Sequence, residues 1–482
     1  MVQNRKHIEP RIPKGLQDLL PQELIARKKV VTRIESVFEK YGFVPVDTPA
    51  IEYLDTLLGT GGEETNKELF RFETPEEEAV ALRFDLTVPF ARLLAQYPDV
   101  LKVPFRRYAA GPVWRADKPG PGRFRQFTQL DIDIAGAADP AVDAEVIAVM
   151  CEVMQTLGVG GYTVLINSRK LLDALLEGAG ITDGNTQKHV CRVIDKLDKV
   201  GLESVKLELG NGRVDASGDP IPGVGLDDSV AEAILEFIEV DGETRAQAVE
   251  NMARALPVSD AAAAAVDEMN HLGAALEVLG ITDAQARFDP SLARGLDYYT
   301  GTVFETVLPD APEFGSVMGG GRYNQLVARF LDRPIACTGM SVGLDRLMAA
   351  LKHLDLAPAA KTTVQALVIT VGKVAKSESL QLAAELRAAG IATEIYIAGR
   401  KKMGLKFQLA HADHYGIPVA VILGEEELAN EVVSVKDLEA GKRQREHIAE
   451  HETYREAGKT GQLTVPRGEV VKTVKNILAG HV

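Results

Sequence analysis

Apolar residues recur at three- and four-residue spacing from Ile25 to Tyr41, which predicts an amphipathic helix. Through residues 1–188, such helical patterns alternate with stretches in which every second residue is apolar, the mark of antiparallel strands buried on one face. From roughly 189 to 285 the chain turns to Ala, Leu, Glu and Lys at helical spacing, broken by the turn-rich GNGRVDASGDPIPGVG. That stretch is expected to be an inserted helical unit. Strand alternation returns at TGTVFETVL, glycines cluster at Gly319 to Gly321, and a helix pattern follows Gly343, so the first fold resumes over 286–357. Past LAPAAKT, over 363–482, the short apolar runs VQALVIT, ATEIYIA and PVAVILG alternate with helices, one from about Ser377 to Ala389 and ended by Gly390. This predicts a separate α/β domain on a small parallel or mixed sheet. The expected fold class is α+β, and no repeat of fixed period points to a solenoid.

Composition narrows the class. A chain of 482 residues, 46% apolar and 26% charged, is long enough for several folding units and is not biased toward disorder. The first residues, MVQNRKHIEPRIPKG, have no apolar stretch of the kind a secretory leader carries, and no run of about 18 apolar residues could span a bilayer. A cytoplasmic location and no membrane partner are expected. Three widely spaced cysteines, Cys151, Cys191 and Cys337, suit buried free thiols better than a disulfide framework. A net charge of −15 argues against non-specific nucleic-acid binding, so any RNA contact must use local basic patches.

The most informative segment is VWRADKPGPGRFRQFTQLDIDIAG, residues 113–136. If its second half is a strand, Arg123, Arg125, Phe127, Gln129, Asp131 and Asp133 share one face, and Leu130, Ile132 and Ile134 share the other. Arginine suits polyphosphate, because its planar fork donates two hydrogen bonds and stays charged. Phe127 offers a stacking surface for a base, while Gln129 and Asp133 can read a cationic or hydrogen-bonding small molecule. The same spacing also suits a solvated, ion-paired strand. In LRFDLTVPFAR, alternation puts Arg83, Asp85 and Thr87 on one face and Phe84, Leu86 and Val88 on the other. Further segments are ARGLDYYTGTVFE, with Arg294, Tyr298 and Tyr299, then GGGRYN at 319–324, and TGMSVGLDRLMAAL, whose Arg346 lies in the first turn of an expected helix. A cation there is disfavoured by the helix dipole, which a phosphate partner would offset.

Other candidates carry less. GKT at 458–460 lacks the upstream glycine of a phosphate loop, and no GxGxxG follows a strand. His411 with His414, and His447 with His451, have helical spacing but no evident third ligand, so no metal site is expected there. Arg400, Lys401, Lys402 and Lys406 form a basic stretch that suits RNA or a solvated helix.

Taken in order, these segments resemble the class II aminoacyl-tRNA synthetases, and within them the histidyl-tRNA synthetase family, over roughly residues 9–480. GFVPVDTPAIE is similar to the first class motif, which lies at a dimer interface; FRRYAAGPVWRADKPGPGRFRQFTQLDIDIAG is similar to the second and GMSVGLDRL to the third. RGLDYYTGTVFE and GGGRYN resemble signatures particular to the histidine enzymes. The resemblance implies ATP-dependent ligation of L-histidine to tRNA(His) through a histidyl-adenylate, with Mg²⁺ accompanying ATP, by a homodimer with a C-terminal anticodon-binding domain. It implies that Asp85, Thr87 and Gln129 hold the amino group, and that Asp133 and Tyr299, with Tyr298 in the same pocket, read the imidazole. Arg115 and Arg294 would grip the α-phosphate and the carboxylate, Arg123 and Arg346 the outer phosphates, and Phe127 the adenine. Asp85 and Asp133 stand where many bacterial members carry glutamate, and RADKPGPGR departs from the more common loop. Rival readings are a catalytically silent regulatory paralogue, a class II synthetase for another amino acid, and a plain RNA-binding module.

Overall fold

The computed structural model describes residues 8–59, 66–120, 122–215, 218–293, 298–359, 361–397, 404–440 and 461–480. The chain divides into two compact units, one of residues 1–18 and 30–357, the other of 19–29 and 358–482.

An eight-stranded sheet organises the first unit, in the order β1-β5-β6-β13-β12-β11-β7-β10. Its strands are β1 (Val44–Pro45), β5 (Phe105–Trp114), β6 (Gln126–Ala135), β7 (Thr163–Ser168), β10 (Ala286–Phe288), β11 (Thr302–Val307), β12 (Met318–Arg322) and β13 (Cys337–Gly343). The six central strands are antiparallel, and the edge strands β1 and β10 add in parallel. A small sheet of β2 (Ile51–Tyr53), β3 (Arg71–Glu73) and β4 (Ala79–Leu82) precedes the main one, and β8 (Gly212–Val214) pairs with β9 (Pro220–Pro222) in the turn-rich segment.

Helix α1 (Pro21–Lys40) covers the pattern read from Ile25 to Tyr41, and α2 (Thr87–Gln96) follows the small sheet. Then come α3 (Pro140–Thr156), α4 (Arg169–Gly178), α5 (Gly184–Ile194), α6 (Leu202–Leu209), α7 (Asp228–Ile238), α8 (Arg245–Ala255) and α9 (Asp260–Val278), with α10 (Leu344–His353) closing the unit. Starts of these helices carry the expected caps: Asp139 accepts from the amide of Ala141, and Ser259 from that of Ala262. Helix α5 lies across the boundary expected near 189.

Alternation along β6 sets the two faces of the sheet. Leu130, Ile132 and Ile134 sink into a core with Ile34 and Phe38 of α1, Ile147 and Met150 of α3, and Leu272 and Leu276 of α9. The helical run over 184–278 therefore shares that core with the sheet. Each such side chain, fully buried, contributes roughly 1.5–3 kcal/mol. A second cluster joins Phe84, the α2 residues Phe90, Ala91 and Leu94, and Tyr323 and Cys337. All three cysteines are buried free thiols.

In the second unit the sheet order is β15 (Thr393–Ile395), β14 (Ala366–Thr370), β16 (Val419–Leu423), β17 (Val432–Asp437) and β18 (Gln462–Pro466). It is mixed, with β15, β14 and β16 parallel and the rest antiparallel. Val368 and Val421 face Leu382 and Leu386 of α11 (Lys376–Ala388) and Val474 of α13 (Val470–Ala479). Leu367 and Ile422 face Ala412 of α12 (Leu405–Tyr415) on the other side. Burial of both faces is why these strands are nearly continuous apolar runs.

Candidate active site

Opposite the core, β6 turns Gln129, Asp131 and Asp133 into a cavity of about 220 Å³, the scale of a single small molecule. Asp85, Thr87, Arg115, Tyr298 and Tyr299 line the same cavity. Seven residues expected from the sequence thus meet in one place: Asp85, Thr87, Arg115, Gln129, Asp133, Tyr298 and Tyr299. Arg294 lies outside the described residues, as do Arg400, Lys401, Lys402, His447, His451 and the GKT segment.

The segment around Asp85 differs from the expected strand. Strand β4 stops at Leu82, and α2 begins at Thr87. Asp85 Oδ1 accepts from the amides of Thr87 (3.1 Å) and Val88 (2.9 Å), two of the donors a helix start leaves unsatisfied. Phe84 and Val88 enter the apolar cluster while Arg83 turns from the cavity, its Nε donating to the Pro112 carbonyl (2.9 Å) and Nη1 to that of Thr48 (2.5 Å). Alternation brought Asp85 and Thr87 together correctly but missed the turn of helix that does it.

Asp133 is held from two sides. Tyr323 of the GGGRYN segment donates to Oδ1, and the Arg107 guanidinium forms an ion pair with Oδ2. Arg107, 1% exposed, also donates to the Leu86 carbonyl (3.0 Å) and lies over the Phe90 ring at 4.6 Å. Register explains the meeting, since Arg107 on β5 and Gly339 on β13 are the cross-strand neighbours of Asp133. A methyl group on Gly339 would overlap the Asp133 carboxylate. One on Gly321 would stand 2.6 Å from the Thr302 carbonyl oxygen and 3.0 Å from the Tyr299 ring. Close approach is the reason for glycine at both positions.

Arg322 anchors this strand from below. Its Nε and Nη2 donate to the two carboxylate oxygens of Asp143 (3.0 and 2.9 Å), and Nη1 and Nη2 reach the carbonyls of Ala137 and Asp139. Sequence reading singled out GGGRYN without giving Arg322 or Tyr323 a task, and it gave Arg107 none. The signal for Tyr323 was its place in that motif; Arg107 had no local signal.

Burial dominates the electrostatics. It pushes the carboxyl of Asp131 up to about 7 and that of Asp133 up to about 6, with Arg107 opposing both, and it raises Asp85 as well. Desolvation also raises the phenols of Tyr298 and Tyr299, which stay neutral donors, and lowers Arg115. Arg115 remains a cation across the working range.

Arg123, Phe127 and Arg346 are not among the cavity's lining residues. The Arg115 guanidinium lies between the rings of Phe84 (4.2 Å) and Phe127 (5.1 Å), so it joins Phe127 to the cavity. Arg123 is exposed in a tight loop where its amide and the Gly120 carbonyl pair, and the neighbouring Gly122 sits against the first turn of α10, next to Arg346. Arg346 Nη1 donates to the Ser316 carbonyl at 2.5 Å. Asp345 ties this turn down, accepting from Gln17 Nε2 and from the Thr128 amide of β6, both at 2.9 Å. Neither Gln17 nor Asp345 was expected to matter.

Among the described residues, no group of three or more His, Cys, Asp or Glu is arranged to hold a metal. His411 of α12 meets Glu394 (2.8 Å) and packs against Tyr396 and Tyr415.

Comparison with known proteins leads to the same family as the sequence motifs. The profile of the histidyl-tRNA synthetases matches residues 15–347, and that of an anticodon binding domain matches 365–477. The histidine–tRNA ligase of Caulobacter vibrioides is 40% identical over 98% of this chain and 97% of its own length, and that of Rhizobium meliloti 39% over 98% and 96%. The crystal structure of histidyl-tRNA synthetase from Nostoc superposes with a TM-score of 0.79 at 29% identity, covering 98% of this chain and all of that one. A likeness that runs through both units and carries the cavity's strands with it settles the family: the chain belongs to the histidyl-tRNA synthetases.

Proposed function

We propose that the cavity on β6 is where histidine is bound and activated. The chain's reaction is the ATP-dependent ligation of L-histidine to tRNA(His) through a histidyl-adenylate, releasing AMP and diphosphate. The observation that carries the site is the convergence of Asp85, Thr87, Arg115, Gln129, Asp133, Tyr298 and Tyr299 on one small cavity.

In this reading Asp85, Thr87 and Gln129 take the ammonium group, at the positive end of α2. Asp133, oriented by Tyr323 and Arg107, accepts from an imidazole N–H, and the neutral Tyr299 hydroxyl serves the other ring nitrogen, with Tyr298 packed edge-on against it at 4.9 Å. Arg115 bridges from this cavity to Phe127, so it faces the α-phosphate when adenine lies against the ring. Arg123 and Arg346 take the outer phosphates, and Arg294 shares the carboxylate and α-phosphate with Arg115.

The histidine carboxylate then attacks the α-phosphorus in line and diphosphate leaves; a terminal ribose hydroxyl of the tRNA next attacks the adenylate carbonyl and AMP leaves. Such chemistry depends on positioning and on cations where charge develops, without a dedicated base. Mg²⁺ would accompany the ATP phosphates and offset their charge, beside Arg123 and Arg346. Exposed Val44 and Ile51 along the first class motif, and Tyr53 just after it, suit a second copy of the chain, and a cytoplasmic location, where ATP and tRNA are at hand, belongs to the same reading. The second unit is assigned to the anticodon, with Lys406 among its contacts.

ATP–pyrophosphate exchange against the twenty amino acids tests the reading. Exchange with histidine alone is expected; exchange with another amino acid, or none from folded protein, would overturn it.

A further inference from the structure

Asp131 is a buried carboxylate on the cavity face that has no task in the roles above. It is 1% exposed and lines the cavity, and neither of its oxygens accepts a hydrogen bond from the described residues. Its neighbours differ. Asp133 is held by Tyr323 and Arg107, and Asp85 by two backbone amides. Ser341, opposite Asp131 on β13, stands close enough to favour its ionised form without closing a hydrogen bond. A buried carboxylate without a donor destabilises the fold, and the bond that Asp131 lacks is one that an occupant of the cavity can supply.

The kind of occupant follows from what surrounds it. Two residues earlier on the same face, Gln129 Oε1 is also a buried acceptor with no partner among the described residues. Two adjacent orphan acceptors call for a donor-rich group, and an ammonium brings three N–H donors. The charged and titratable groups facing Asp131 are Asp133 from β6, Arg107 from β5, Arg115 just past the end of β5, Asp85 from the loop before α2, and the neutral Tyr299 phenol, with Glu305 from β11 at the cavity wall. Among the described residues of that set, carboxylates outnumber guanidiniums, which favours an occupant that brings a positive charge.

We propose that Asp131 is a binding residue for the substrate's ammonium group, sharing it with Gln129 and making a cation a condition of entry. The proposal rests on histidine occupying this cavity. Burial pushes the Asp131 carboxyl up to about 7, so the empty pocket carries a proton there at mildly acid pH. Entry of an ammonium favours the ionised form and expels that proton.

Asp131→Asn keeps the shape and removes the charge. Histidine-dependent pyrophosphate exchange should show KM raised roughly ten- to a hundredfold, the loss falling on KM far more than on kcat. The ratio of variant to native KM should grow between pH 5.5 and 8, because the titration of histidine itself cancels in the ratio. Inhibition by histidinol, which keeps the ammonium, should weaken by a similar factor. Inhibition by imidazolepropionate, which lacks it, should not weaken. Should the amide misfold, Asp131→Ser carries the same comparison.

An unchanged KM, a pH-independent ratio, or equal weakening toward imidazolepropionate would overturn the proposal. Failure of the underlying reading looks different. Native protein giving no histidine-dependent exchange would sink the histidine site itself, whereas an unaffected Asp131→Asn beside an impaired Asp133→Asn would remove only the role of Asp131.

Discussion

The Tyr323 hydroxyl donates to Oδ1 of Asp133, a carboxylate 190 positions earlier, while Arg107 holds the opposite oxygen. The pair fixes the direction in which Asp133 presents itself to the cavity. A hydrogen bond to a charged group is worth ~1.5–3 kcal/mol. Tyr323→Phe should therefore raise KM for histidine by roughly ten- to a hundredfold in pyrophosphate exchange, with little change in KM for ATP. Equal losses toward both substrates would contradict the assigned role.

Arg322 and Asp143 form a bidentate pair, 3% and 0% exposed, beneath the strand that delivers Tyr323. Removing one partner of a buried pair strands the other charge and costs ~3–5 kcal/mol. Arg322→Ala should lose that much in urea unfolding, and its midpoint should drop well below that of the native chain. A loss under about 1 kcal/mol would show that the pair does not hold the strand.

Gly339 leaves no room for a side chain beside Asp133. Gly339→Ala should displace the carboxylate and cost ~1–3 kcal/mol of stability through overpacking. Histidine activation should fall more than tenfold even at temperatures where the variant is folded. Circular dichroism melting with exchange kinetics on one preparation checks both effects.

The raised pKa of Asp131 fixes a sign for stability. Its native value of about 7 lies above the ordinary carboxylate value, so between the two the folded state binds more protons than the unfolded chain. Its contribution to stability is present at low pH and is lost as pH rises through about 7. Without histidine, Asp131→Asn should melt near the native temperature at pH 4 and above it at pH 8. Melting below the native temperature at pH 8 would mean that the carboxylate has a partner in the empty protein.

Much of this was legible before the fold. Alternation along residues 126–135 separated Leu130, Ile132 and Ile134 from Gln129, Asp131 and Asp133, because a strand's period of two depends only on local geometry. The apolar runs of the second unit likewise announced a sheet covered on both faces. Near Asp85 the reading failed in kind. Polar alternation over six residues does not distinguish a strand from a short loop whose aspartate accepts from a helix start, and the helix was decided by tertiary packing of Phe90, Ala91 and Leu94. Arg107, Tyr323 and Asp345 could not be assigned because their partners lie across strands or far along the chain. Cross-strand register, which puts Arg107 and Gly339 beside Asp133, is not written in either segment alone.

The most direct test of the account is a crystal structure of the chain with histidine bound. The imidazole should lie between Asp133 and Tyr299, and the ammonium against Asp85, Gln129 and Asp131. Histidine bound elsewhere, or lying in this cavity with its imidazole turned away from Asp133, would contradict it.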